Sequence, residues 1–112
     1  MNWNKLTSEE QIDQVITESA SKPVLLFKHS TSCSISSMAL DRLLRNWKTE
    51  DSDKIIPYYL DLIAFRSLSN LVAARFGIPH ESPQVLLLKD GKVTYHESHY
   101  GISYAEIKLQ AA

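Results

Sequence analysis

"KPVLLFKHSTSCSISSMA", residues 22 to 39, runs from a proline through an apolar stretch into a cluster of hydroxyl side chains around the only cysteine of the chain. Val24 to His29 is too short and too continuously apolar for a buried helix, so the pattern predicts a strand covered on both faces. Beyond Cys33 the period changes. Ile35, Met38, Ala39, Leu43, Leu44 and Trp47 recur along one helical face until the charged "KTEDSDK" (48–54) breaks the pattern. Cys33 thus falls where a buried strand hands over to a helix.

Upstream, Ser8 stands three residues before Gln11, Glu9 and Glu10 fall in a first turn, and Ile12, Val15, Ile16 and Ala20 share a helical face. An amphipathic helix is expected over 7–20, stopped by Lys22 and Pro23. Downstream, "IIPYYLDL" (55–62) has strand composition, but Pro57 lacks an N–H and is expected at a sheet edge. "SLSNLVAARFG" (67–77) offers serine caps, an apolar set of Leu68, Leu71, Val72 and Phe76, and Gly77 to close a helix. Asp90-Gly91 between "QVLLL" and "VTYHE" predicts a tight hairpin over 84–97. Ser103 and Glu106 resemble a capping box for a last helix packed through Ile102, Ile107 and Leu109.

The order helix, strand, helix, strand, helix, hairpin, helix is the layout of an α/β, thioredoxin-like three-layer sandwich. It predicts a central mixed four-stranded sheet with an extra N-terminal helix, and residues 1–112 as one domain.

Composition narrows the function. The 112 residues carry 12 basic and 13 acidic side chains, a formal charge of −1, which gives no reason to expect nucleic acid as a partner. The apolar runs fall far short of the roughly 20 residues of a membrane helix, so no membrane partner is expected. One cysteine excludes an intramolecular disulfide framework, and "MNWNKLTSEEQID" lacks the basic and apolar regions of a secretory signal. A soluble protein of the reducing cytoplasm is expected.

At the start of a helix, unpaired backbone N–H groups and the positive end of the dipole favour a thiolate at Cys33. A thiol free in water is only about 3% ionised at neutral pH, whereas thiols at helix starts ionise at about 3.5–7.5. Thr31, Ser32, Ser34 and Ser36 add hydroxyl donors, and Lys28 and His29 are near in sequence. Ser36 sits one turn on, where a Cys-x-x-Cys protein keeps its second thiol. Its hydroxyl can hydrogen-bond a thiolate but cannot form a disulfide, so a mixed disulfide on Cys33 needs an outside thiol to resolve it. The alternative, an inert packing cysteine, fits poorly among four hydroxyls.

Pro83, in "HESPQVLLL", precedes the third strand. A cis bond there would present the Ser82 backbone to an incoming peptide or thiol adduct, although an ordinary trans turn is far commoner. His29, His80, His96 and His99 show no metal-ligand spacing, so no metal site is expected. Trp47, Tyr58, Tyr59 and Phe76 fall on core patterns rather than on a stacking platform.

"KLTSEEQ" (5–11), "KPVLLFKHSTSCSISSMA" (22–39), "RFGIPHESPQVLLLKDGKV" (75–93) and "HYGIS" (99–103) together resemble the YtxJ-type bacillithiol-system proteins, a thioredoxin-like group of monothiol bacilliredoxins. The specific part is Thr31-Ser32-Cys33-Ser34-Ile35-Ser36, similar to a Thr-x-Cys-Pro-Ile-Ser signature, with Pro83 at the cis-proline position. Ser34 departs from the proline of that signature. Phe27 stands six residues before the cysteine, where general thioredoxins carry a buried acid.

The resemblance implies a monothiol thiol-disulfide oxidoreductase with Cys33 and Ser36 catalytic and Thr31, Ser32, Ser34, Ser82 and Pro83 contacting substrate. No bound cofactor is implied; bacillithiol, as the low-molecular-weight thiol, would be co-substrate and S-thiolated client proteins the partners. Three alternatives stay open. They are a dimeric glutaredoxin-like iron-sulfur carrier, a non-catalytic thioredoxin-like binding module presenting its "ESP" loop, and a redox sensor capped by a small thiol.

Overall fold

The computed structural model describes residues 3–112. Its elements are β1 (Asn4–Lys5), α1 (Glu10–Glu18), β2 (Val24–His29), α2 (Ser34–Asn46), α3 (Thr49–Lys54), β3 (Ile56–Asp61), α4 (Arg66–Phe76), β4 (Gln84–Lys89), β5 (Lys92–Ser98) and α5 (Tyr104–Ala111), with a 3-10 turn at His99–Gly101. The sheet order is β1-β3-β2-β4-β5. β1, β3 and β2 run parallel, and β4 and β5 are antiparallel to their neighbours.

β2 lies at the centre and every one of its residues is buried, as its apolar run predicts. Strand alternation divides the core. Val24 and Leu26 pack with Ile12, Val15, Leu68 and Val72 of α1 and α4, whereas Leu25 and Phe27 pack with Ala39, Leu43 and Ile107 of α2 and α5. The result is the expected three-layer α/β sandwich.

The sheet has five strands where the sequence predicts four. β1 pairs Asn4 with Tyr58 and Lys5 with Tyr59, so β3 is not the edge. The reason is compatible with Pro57. Ile56 N–H donates towards β2 at Pro23 O (2.9 Å), so alternation turns the Pro57 nitrogen to the other side, where β1 has not yet begun. The Asn4 side-chain amide instead donates to Pro57 O at 3.1 Å.

Four further expectations are corrected. "KTEDSDK" does not merely interrupt α2; Thr49–Lys54 forms α3, capped by Asp51 Oδ2 accepting from Lys48 N–H at 2.8 Å. Met38, placed on the apolar face of α2, is 60% exposed, and Leu109, placed on the packing side of α5, is 67% exposed. The start of α1 keeps half of the expected capping box: Gln11 Oε1 accepts from the Thr7 and Ser8 amides, but Glu9 is the cap residue.

The serine caps expected for α4 are absent, since the helix starts at Arg66 with Phe65 as its cap residue and no side-chain cap bond, but three other local signals are realised. Gly77 closes α4 at φ +69°, and Asp90-Gly91 turn the hairpin with φ +52° and +77°, the doubly positive pair of a tight turn between twisted strands. Ser103 Oγ caps α5 by accepting from Glu106 N–H at 3.3 Å. No helix among the described residues is long and apolar enough to cross a membrane.

Candidate active site

Cys33 is a free, half-buried thiol at the N-cap position of α2, with extended backbone (φ −107°, ψ 120°). No side chain caps this helix. Cys33 itself occupies the position from which a Ser or Asp oxygen would normally accept a first-turn amide, so a thiolate there would serve as the cap. The turn leading in is held by Cys33 N–H donating to Ser30 O at 3.1 Å, and the helix is joined by Ser37 N–H donating to Cys33 O at 3.1 Å.

The hydroxyl residues divide into two groups. Thr31, Ser32 and Ser34 flank Cys33 in the chain and are exposed, and the Ser30 and Ser32 hydroxyls lie 3.4 Å apart. Ser36 is fully buried. Its Oγ accepts from Ser30 N–H at 3.1 Å and lies 2.6 Å from His29 Nδ1. These, rather than the Cys33 sulfur, are its hydrogen-bond partners.

His29 ends β2 on the same face as Phe27, with ring centroids 6.1 Å apart, and is 5% exposed. Burial pulls its pKa below the ordinary imidazole value, while the Asp61 and Asp41 carboxylates act in the opposite sense. Its link to Ser36 is not evident from sequence spacing. The available signal was a polar residue ending a wholly buried strand, in phase with Phe27 by strand alternation.

Two other loops lie at the same end of the sheet as His29, since Gln84 pairs with Lys28. The Ser82–Pro83 bond is cis and Pro83 is buried. Pro83 O accepts from His99 N–H at 2.9 Å, which ties the loop before β4 to the turn after β5. The Ser82 hydroxyl and Gln84 Oε1, on either side of Pro83, are buried without a hydrogen-bond partner among the described residues. Lys28, next to His29, points to the opposite face of the sheet, as its contacts with Ser69 on α4 show.

A thioredoxin-like sheet with one thiol at the start of the helix after its central strand defines a redox protein of the monothiol kind. The comparisons agree. The family model of the monothiol bacilliredoxin BrxC matches residues 4–107, and the chain belongs to that family. A solved protein with a thioredoxin fold is 31% identical, with a TM-score of 0.82 over 96% of this chain and 92% of the other. Thioredoxin from Malassezia sympodialis (Mala s 13) is 17% identical, with a TM-score of 0.74 over 96% and 86% of the two chains. Fasciola hepatica thioredoxin is 12% identical, with a TM-score of 0.70 over 96% and 95%. These last two share the fold.

Proposed function

We propose that the protein is a cytoplasmic monothiol oxidoreductase that frees proteins from mixed disulfides with a low-molecular-weight thiol. The observation that carries this reading is the free Cys33 thiol at an uncapped helix start, in a chain of the bacilliredoxin family. The Cys33 thiolate attacks the small-thiol sulfur of a protein mixed disulfide. A Cys33–small-thiol disulfide forms, and the protein sulfur leaves as a thiolate that takes a proton from water. A second small thiol then attacks that adduct, restoring Cys33 and releasing the symmetric small-thiol disulfide. Bacillithiol is the small thiol that the family suggests, and S-thiolated proteins are the clients.

Thr31, Ser32 and Ser34 supply exposed hydroxyls to the adduct, and the Ser82–Pro83 backbone borders it. Ser36 offers no second thiol, so the cycle depends on external thiol. The test is a model protein S-thiolated with bacillithiol, incubated with this protein and excess bacillithiol and followed by mass spectrometry. Release by wild type and none by Cys33→Ser is expected; equal release by both would overturn the reading. A coloured, iron-containing protein after anaerobic purification would favour the cluster carrier instead.

A further inference from the structure

The Ser36 hydroxyl carries one proton and two lone pairs. The Ser30 amide occupies one lone pair at 3.1 Å, and His29 Nδ1 lies 2.6 Å away. Only two arrangements remain. If Nδ1 is unprotonated, Ser36 donates to it and has only a lone pair left to offer a neighbour. If Nδ1 carries a proton, His29 donates to Ser36, both lone pairs are used, and the hydroxyl proton is free to bind an anion. Ser36 is the third residue of α2 and Cys33 is its cap residue, so the two side chains start one helical turn apart on neighbouring positions.

We propose that His29 is a positioning residue that takes up the Cys33 proton through Ser36. With the sulfur swung onto Ser36, the Cys33 S–H bond breaks as its proton passes to Oγ, while the original hydroxyl proton of Ser36 passes to Nδ1. The product is a Cys33 thiolate that accepts from Ser36 and a His29 imidazolium that donates to Ser36. No electrons are gained or lost. His29 in this way fills a role for which the strand has no acid, since Phe27 is apolar and wholly buried. The inference rests on Cys33 being the nucleophile of the reading above.

The surroundings of His29 are suited to a charge that comes and goes. From β3, the Tyr59 ring lies 5.6 Å away and Asp61 is its register partner; from α2 come Ser36 and Asp41; on β2, Lys28 faces the other side. Burial resists the imidazolium and outweighs the support of the two carboxylates, and a nearby thiolate would add to the side that favours it.

The test has two parts. Titration of the His29 ring by NMR in the reduced protein is expected to have its midpoint at higher pH in wild type than in Cys33→Ala, which leaves the core intact. An unchanged midpoint overturns the proposal. Second, iodoacetamide labelling of Cys33 at pH 6.5 should slow about tenfold, the equivalent of one pKa unit, in Ser36→Ala and in His29→Asn. The double variant should be no slower than Ser36→Ala, because both act on one path. Losses that multiply in the double variant, or a His29→Asn protein that keeps the wild-type rate and pH profile, overturn it. A wild-type protein that releases small thiol from the reporter while these comparisons stay flat loses the relay alone. A wild-type Cys33 that labels only on unfolding loses the reading beneath it as well.

Discussion

Lys28 Nζ donates to the main-chain carbonyl of Ser69 at 3.2 Å, from a lysine with no exposed surface. His80 Nδ1 lies 3.5 Å from the same ammonium and 3.1 Å from Ser69 Oγ. Among the described residues no carboxylate pairs with the ammonium, and burial pulls its pKa from 10.5 to about 8. The pair links the centre of the sheet to α4, on the face away from His29.

Lys28→Met should therefore stabilise the protein at pH 7 by about 1–3 kcal/mol, because it removes a buried charge that lacks a counter-ion. Between pH 8 and 10.5 the unfolded chain holds a proton that the folded one has lost, so wild-type stability rises with pH across that window. The advantage of the variant should shrink accordingly. Urea unfolding of both proteins at pH 7 and pH 10 measures this, and a constant gap would contradict it.

Asp51 joins α3 to α5. It is 2% exposed, accepts from Tyr104 Oη at 2.5 Å and is paired with Lys108 Nζ. Burial pushes its pKa up, but the hydrogen bonds from Lys108, Tyr104 and the Lys48 amide outweigh this and hold it below the ordinary value, while Tyr104 is pushed up to about 12 by its bond to that carboxylate. Asp51→Ala should cost about 3 kcal/mol in urea unfolding. The contribution of Asp51 is present above pH 4, the ordinary carboxylate range, and lost as pH falls through its lower folded value. Wild type and variant should therefore converge in acid.

Ser36→Cys should turn the monothiol site into a dithiol one. Residues three apart in a helix have Cα atoms about 5 Å apart, within the range a disulfide spans. Oxidised protein is expected to lose two free thiols, and the small-thiol adduct on Cys33 should no longer accumulate when external thiol is withheld. Persistence of the adduct in mass spectra would argue against this geometry.

Gly91→Ala should destabilise by about 1–2 kcal/mol in thermal or urea unfolding. The residue sits at φ +77°, and a Cβ there would lie 3.2 Å from Ile16 Cγ2 of α1. A neutral result would mean that the hairpin shifts away from α1.

Much of this architecture was legible because its signals are local. The all-apolar run of β2, the Asp90-Gly91 turn and the Gly77 cap each carry their own period or backbone requirement. What escaped depends on distant partners. β1 has two residues and thus no period to read, and it exists through Tyr58 and Tyr59, more than fifty positions on. Asp51 looks like a solvated charge until Tyr104 and Lys108 arrive from 53 and 57 residues away. At the site, the helix start and the separation of Cys33 from Ser36 followed from sequence, but the meeting of His29 with Ser36 needed the strand's phase and the helix's seat on the sheet. The exposure of Met38 has the same origin: helical spacing allots a face, and packing decides how much of it is covered.

The two residues Asn4 and Lys5 also cover one edge of the sheet. An open strand edge is a template onto which another chain can add, and short, lysine-bearing edge strands are a common defence. Without them, Tyr58 and Tyr59 would present unpaired backbone groups next to Pro57, whose missing N–H guards only one position. Deleting residues 1–5 should accordingly promote association, visible as larger species in light scattering, before it harms the chemistry at Cys33. A tag or fusion partner placed at this end would bear on solubility more than on redox activity.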